Sequence, residues 1–347
     1  MQYLGGMLFM KALVFKGVKS FVLEKRPIPE LKDGCVLIKV RYTGICGSDV
    51  RGYLGESKLR LPETIMGHEI SGVVEDPGDS MWAKGDKVAI WPILPCGKCE
   101  YCLGGYPNLC DNNRGLIGET HPGSLAEYLI VPASNLVALP KEADLKRAAI
   151  AEPLAVAVHA VCCAGGIAGR RVGIIGAGPI GLLVLQLVLL KKPDEVLVVD
   201  IDSARLVYAD KLGATIVCNP KEGEINDIVL DKTEGKGFDL SFDVAGSSEA
   251  FDTTLHILRR KGRLISIAGW NKDSHLDLNY LVTREITVSG SYNYTKKEYE
   301  EAINLILQEK IRVEELISGI YTLAKAKEAF DILSQKPSPV LKLLIES

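Results

Sequence analysis

Four cysteines crowd into one short stretch with the spacing Cys96-x2-Cys99-x2-Cys102-x7-Cys110. Gly97, Gly104, Gly105 and Pro107 let that stretch fold back on itself. Four thiolates can then surround one tetrahedral Zn²⁺ at about 2.3 Å each. Protein would fill every coordination position, so this zinc is expected to be structural. Iron–sulfur ligation is the chemical rival and chance clustering the bland one. Zinc is preferred because four closely spaced cysteines rarely serve packing. A nucleic-acid-binding ribbon is not expected, since the stretch holds Lys98 but also Glu100 and Asp111, and no basic stripe.

A second pattern, "GAGPIG", places Gly176, Gly178 and Gly181 around Pro179 and Ile180. Alone the spacing is a weak signal. Here it follows the apolar strand "RVGII" and opens an apolar helix, which is the context a dinucleotide fingerprint needs. Gly176 permits a tight turn, Gly178 lets a pyrophosphate approach the backbone, and Gly181 lets helix and strand pack closely. The helix start offers free N–H groups and a positive dipole end. Asp200 ends the next strand, nineteen residues past Gly181. A carboxylate there accepts both ribose hydroxyls and repels a 2′-phosphate, which favours NAD over NADP. Arg205 stands close enough to keep NADP open, and a glycine turn without a ligand is the plain alternative.

A nicotinamide cofactor needs a partner that stabilises an alkoxide, and no Lys/Tyr pair is marked by a local motif. Cys46 in "GICGSD", His68 and Glu69 in "GHEISG", and Glu152 in "AEPLAVAVHA" supply another solution. Taken singly, each has an ordinary reading: a small buried hydrophobe, a satisfied core imidazole, a solvated carboxylate. Taken together, a soft thiolate, an imidazole and a carboxylate with one position open make a catalytic zinc site.

The elements around these residues change character along the chain. "CVLIKVRYTG" alternates, with Val36, Ile38, Val40 and Tyr42 on one face, and "EISGVVED", "GDKVAIWP", "SLAEYLIVP" and "NLVALP" continue as short strands. From about Glu152, helical "RAAIAEPLAVAVHAV" leads into alternating strands and helices: "EVLVVDID", "SARLVYADKLG", "TIVCN", "GFDLSFDVAG", "AFDTTLHILRRKG", "RLISIAG". The expected fold class is α/β: a β-rich domain over 10–155 with the cysteine lobe at 96–110, a doubly wound parallel-sheet domain over 156–292, and a return over 293–347. The first clean strand pattern starts at Met10, which leaves residues 1–9 as an appendage with no fold role.

The global numbers agree with an ordinary two-domain protein. The chain has 347 residues, 47% apolar and 24% charged, with a net charge of −3. Without a basic field, neither a nucleic-acid nor a membrane partner is expected. The longest apolar run, "LLVLQLVLL", is nine residues, too short to span a bilayer. The N-terminus shows no signal peptide, and the clustered cysteines suit a reducing, cytoplasmic setting.

Together, "GICGSD", "GHEISG", the four-cysteine lobe, "GSLAEY", "AEPLAVAVHA", "GAGPIG", "VVDID" and "FDVAG" resemble the zinc-containing medium-chain alcohol/polyol dehydrogenases. The resemblance runs over nearly the whole chain from Met10. It implies a GroES-like catalytic domain joined to a Rossmann domain, with the active site in the cleft between them and two zinc ions per chain. It makes Cys46 and His68 firm ligands. Where simple alcohol dehydrogenases have a second cysteine, this chain has Glu152, as in the polyol branch, in which Glu69 or Glu152 ligates and the two exchange. Ser48 would pass the substrate's proton toward solvent, and Asp49 would hold the zinc-bound imidazole. The implied reaction is hydride transfer from a secondary alcohol of a polyol or sugar alcohol, with or without a phosphate, to NAD. The implied assembly is a homodimer or homotetramer paired through an edge such as "EITVSGSY".

Departures from the family pattern bear on substrate. Val50 and Arg51 stand where relatives often have a relay histidine, and Arg51 could meet a phosphate. Ile93 replaces the histidine of the threonine branch, and Asn293 stands near the arginine of sorbitol dehydrogenase. "PILPC" and "GSYNY" look closest to sugar-alcohol-phosphate dehydrogenases. A threonine-type or general secondary-alcohol dehydrogenase is the alternative. A zinc-independent quinone reductase would lack ligands at 46 and 68. A non-enzymatic NAD-binding sensor that kept the fold would be expected to have lost Cys46 or Ser48.

Overall fold

Strand pairing starts earlier than the side-chain pattern indicates. In this computed structural model, β1 (Gln2–Leu4) pairs antiparallel with β2 (Met7–Gly17), in the register Gln2↔Phe9. The structure describes all residues except 1, 5, 6, 58, 113, 114, 224, 270–275, 336, 337 and 339. Residues 1, 5 and 6 of the supposed appendage therefore lie outside the described residues. The rest of residues 1–9 is paired strand, which corrects the expectation that the stretch has no fold role. Backbone hydrogen bonding extends the ladder beyond the point where side-chain alternation stops marking it.

Antiparallel β3 (Ser20–Pro27) follows β2. Next come β4 (Cys35–Gly44), β5 (Glu69–Asp76), β6 (Lys87–Ile90), β7 (Tyr128–Pro132) and β8 (Leu136–Ala138). The alternation read in β4 holds at Val36, Ile38 and Val40, fully buried against Ile70, Val74, Val88 and Ile90, but not at Tyr42: the register with β5 shifts after Val40, which leaves Tyr42 half-buried and buries Thr43 instead. The chain forms two compact units, Met1–Glu152 with Thr295–Ser347, and Pro153–Tyr294.

The second unit carries β9 (Arg171–Ile175), β10 (Glu195–Val199), β11 (Ile216–Cys218), β12 (Phe238–Asp243), β13 (Leu258–Ser266) and β14 (Thr287–Gly290). Their spatial order is β11-β10-β9-β12-β13-β14, and each neighbouring pair is parallel. That order reverses beside β9, where a doubly wound sheet binds its ligand. The apolar run "LLVLQLVLL" is the buried helix Pro179–Leu190, and among the described residues no helix is long and apolar enough to cross a membrane. In "AFDTTLHILRRKG" the helix Ser248–His256 ends early and "LRRKG" opens β13. Pro153 sits in the first turn of the helix Ala151–Ala164, where its missing N–H costs no intrahelical bond.

The chain then returns to the first unit with β15 (Ile317–Thr322) and β16 (Lys342–Glu346). β16 pairs antiparallel with β4, aligning Leu344 with Gly44.

Candidate active site

Cys46 ends the turn after β4 and caps the helix Gly47–Tyr53, its sulfur accepting from the Ser48 N–H at 3.5 Å. Glu69 starts β5, with His68 just before it. The register Gly44↔Glu69 sets the carboxylate over Gly44, where a Cβ would lie 1.9 Å from Glu69 Oε2. Only glycine leaves that carboxylate room. Donor atoms of Cys46, His68 and Glu69 all lie within 4.8 Å of one another, and His68 and Glu69 are buried.

Ionisation follows from these neighbours. Burial opposes protonation of His68, but the Asp49 carboxylate, Cys46 and Glu152 outweigh it and raise its pKa to about 10. Asp49 Oδ2 faces His68 Nδ1 at 3.4 Å. These two atoms and Glu69 Oε2 are buried polar atoms without a hydrogen-bond partner. Asp49 Oδ2 and His68 Nδ1 answer each other across that gap, whereas Glu69 Oε2 shares its surroundings with Cys46 and His68. A buried carboxylate oxygen without a donor is costly, and the mixed sulfur, nitrogen and oxygen donor set could hold a divalent cation such as zinc. Glu152 is buried close enough to raise the pKa of His68 and Lys342, yet it stands outside the three-donor cluster.

Two basic residues at this site carry no sequence motif. Lys342 Nζ donates to Glu69 Oε1 at 2.6 Å, across 273 positions of sequence, and to the Ile45 carbonyl at 3.1 Å, across 297. Burial disfavours its charge, but Glu69 and Cys46 outweigh that and raise its pKa. Arg60 is the other, paired with Asp49 and Glu119. Only the pairing of β16 with β4 could have indicated Lys342. Replacing Lys342 with methionine should destabilise the metal-free protein by about 3–5 kcal/mol, because Glu69 is left as an uncompensated buried charge. Urea unfolding should show a smaller loss with zinc bound, since the cation then neutralises the same carboxylate. Equal losses would show that Glu69 does not face the metal.

The cysteine lobe is a separate centre. Cys96 and Cys102 sulfurs are 3.9 Å apart, as are those of Cys99 and Cys110. A tetrahedron of sulfurs around zinc has an edge of about 3.8 Å, so the four thiols fit that ion. Backbone N–H groups of Lys98 and Cys99 point at Cys96 and pull its pKa down to about 6. Burial pushes the Cys102 thiol up. A metal that binds thiolates resolves this mismatch.

In the second unit, Gly176 turns the chain at φ +115°, and Gly178 caps the helix that Pro179 and Ile180 begin. A Cβ on Gly181 would lie 1.8 Å from the Gly176 carbonyl oxygen, so strand and helix meet there only through glycine. Asp200 Oδ2 accepts from the Ala177 N–H at 2.7 Å and Oδ1 from the Asp202 N–H at 2.9 Å. Its carboxylate is thus locked against the glycine turn with lone pairs to spare. Arg205 Nη1 lies 4.0 Å from Asp200 Oδ2, and 3.8 Å from where a Gly178 Cβ would be. Strand end, glycine turn, helix start and fixed carboxylate form a cradle for a dinucleotide.

Comparison with known proteins agrees with this geometry. Residues 32–141 match the alcohol dehydrogenase GroES-like domain, and residues 179–308 match the zinc-binding dehydrogenase domain. D-xylulose reductase A of Aspergillus oryzae is 35% identical over 330 residues, covering 92% of each chain. The crystal structure of galactitol-1-phosphate dehydrogenase from Escherichia coli superposes with a TM-score of 0.91 at 30% identity, covering 97% of this chain and 100% of that one. L-idonate 5-dehydrogenase from Escherichia coli gives 0.90 at 29% identity, covering 98% and 99%. A GroES-like domain, a parallel 3-2-1-4-5-6 sheet and two metal-ligand clusters thus occur in a chain with relatives along almost its full length, and the chain belongs to the zinc-dependent medium-chain alcohol/polyol dehydrogenases.

Proposed function

We propose that this enzyme uses NAD to oxidise a secondary alcohol of a sugar alcohol, free or terminally phosphorylated, to the ketone. The observation that carries the reading is the Cys46–His68–Glu69 trio, with His68 and Glu69 buried and Glu69 Oε2 unpartnered. These three residues would hold the catalytic zinc, with Glu152 near enough to exchange with Glu69. Cys96, Cys99, Cys102 and Cys110 would hold the structural one. When bound, the catalytic ion supplies Lewis acidity that favours an alkoxide over an alcohol, and the dinucleotide supplies the hydride acceptor.

The remaining work falls to the chain. Asp49 Oδ2 keeps the proton on His68 Nδ1, leaving Nε2 for the metal. Lys342 holds Glu69 by one oxygen and leaves the other to face Cys46 and His68. Ser48, half-buried in the first turn of its helix, takes the alcohol's proton and passes its own toward water. Arg51, on the same helix, supplies a cation for a terminal phosphate. The substrate names of the relatives, D-xylulose, galactitol 1-phosphate and L-idonate, support the polyol class.

Asp200 favours NAD, because a 2′-phosphate would meet its carboxylate. Asp200→Ala should raise the KM for NAD about tenfold while that for NADP stays level or falls. Equal changes for both would remove Asp200 from the cofactor site. We also read the end strand β14, with Leu278 and Val282 exposed nearby, as the pairing edge of a homodimer or homotetramer. None of the nine cysteines is in a disulfide, and we read the chain as cytoplasmic.

The test is steady-state oxidation of xylitol, sorbitol, galactitol, galactitol 1-phosphate, 2,3-butanediol and threonine with NAD and with NADP. Polyol turnover with NAD supports the reading. Turnover confined to threonine or to simple diols would replace it with the corresponding alternative.

A further inference from the structure

A buried cation stands against Ser48 and Asp49 together. The Arg60 side chain is 1% exposed and follows the helix that carries Ser48. Its Nε and Nη2 donate to Asp49 Oδ1 at 3.2 and 3.1 Å, Nη2 donates to Ser48 Oγ at 3.3 Å, and Nη1 donates to Glu119 Oε1. Gly52 makes room for it, since a Cβ there would lie 2.3 Å from Arg60 Cγ. Two carboxylates and a hydroxyl therefore fix one planar guanidinium, which no lysine could satisfy with the same fork.

The chemistry of that contact is one-way. Guanidinium has donors and no acceptor. A serine oxygen has two lone pairs and one hydrogen. Arg60 engages one lone pair, so Ser48 cannot point its O–H at Arg60 and has one acceptor and one donor left. A proton relay needs one of each. We infer that Arg60 is a positioning residue that locks the Ser48 hydroxyl in the relay orientation: the free lone pair receives the substrate's proton while the O–H gives its own to water. The alcohol O–H bond breaks, a new Ser48 O–H bond forms, the old one breaks, and one proton leaves. By taking Asp49 Oδ1, Arg60 also leaves only Oδ2 for His68. The inference rests on the assignment of Ser48 to proton transfer made above.

A double-mutant cycle on the zinc-loaded enzyme tests it, using Arg60→Gln, Ser48→Ala and the pair, with NAD and xylitol or whichever polyol of the panel is turned over fastest. Arg60→Gln should lower kcat about 30-fold with KM nearly unchanged, and should alter the solvent deuterium isotope effect on kcat. In the Ser48→Ala background the same change should cost less than about threefold. Zinc per chain and melting temperature are measured alongside. If Arg60→Gln fails to fold, Arg60→Lys, which keeps the charge but loses the fork, enters the same cycle with the same expectation. Equal losses in both backgrounds, with Ser48→Ala itself slow, would overturn the role of Arg60 alone. A Ser48→Ala enzyme at full rate would overturn the relay and this inference with it.

Discussion

Replacing Cys46 with alanine should lower kcat/KM for polyol oxidation by about a thousandfold or more while leaving the fold in place. The argument starts from donor count. Donor atoms of Cys46, His68 and Glu69 lie within 4.8 Å of one another. Removing the thiolate leaves two, too few for a zinc site that must keep a position open for substrate. A metal Lewis acid contributes several kcal/mol to such a reaction, and each 1.36 kcal/mol is tenfold in rate. Structurally the loss is small. Cys46 is only partly buried, and its capping contact is a long N–H···S at 3.5 Å, so about 1 kcal/mol of helix capping is at stake. Metal analysis should give one zinc per chain instead of two, with a nearly unchanged melting temperature. A Cys46→Ala enzyme that still works at the normal rate would exclude this centre from the chemistry.

The complementary substitution, Cys99→Ser, should do the reverse: destabilise strongly and spare the reaction centre. The lobe has little core of its own. Leu103 is 75% exposed and Tyr106 57%, while its buried side chains include Asn108 and Cys110. Hydrophobic burial cannot hold such a loop, so the proposed structural zinc and its four thiolates are expected to supply the cross-link. Structural zinc contributes about 10–16 kcal/mol in small zinc domains. Losing even about a quarter of that lowers Tm by roughly 4–5 °C in a chain of this size, and the freed apolar loop should aggregate. Differential scanning calorimetry with metal counting checks this. Enzyme assayed promptly at low temperature should retain most of its turnover. An unchanged melting temperature with one zinc missing would mean that the lobe folds without its metal.

Much of the architecture could be read from residue patterns because it depends on local periodicity. Alternation in β4 has period two and is buried from Val36 to Val40, up to the register shift that turns Tyr42 out of the core. The glycine turn works through its own backbone, so "GAGPIG" after "RVGII" announces strand, turn and helix without further help. Where a pattern lies, a prediction follows. Where pairing continues without one, as in β1 and the first residues of β2, the reading stopped short. The break inside "HILRRKG" was likewise hidden, because leucine and arginine serve a helix or a strand equally well and only the parallel pairing with β12 decides.

The amino-acid sequence by itself determined the fold class, the cysteine lobe as a unit, the dinucleotide turn and the types of residue offered to a metal. The lobe and the turn are short enough for spacing to encode them directly, and the fold class follows from the order of locally periodic segments. Only the tertiary structure shows which carboxylate lies within reach of both Cys46 and His68. It put Glu69 in the cluster and Glu152 beside it. It also supplied the two buried cations, Lys342 on Glu69 and Arg60 on Asp49, that set the charge of the site. A buried carboxylate requires a counter-charge, but nothing in its local sequence says from where. The partner comes from whichever strand the sheet order brings alongside, and here that strand is β16, at the far end of the chain.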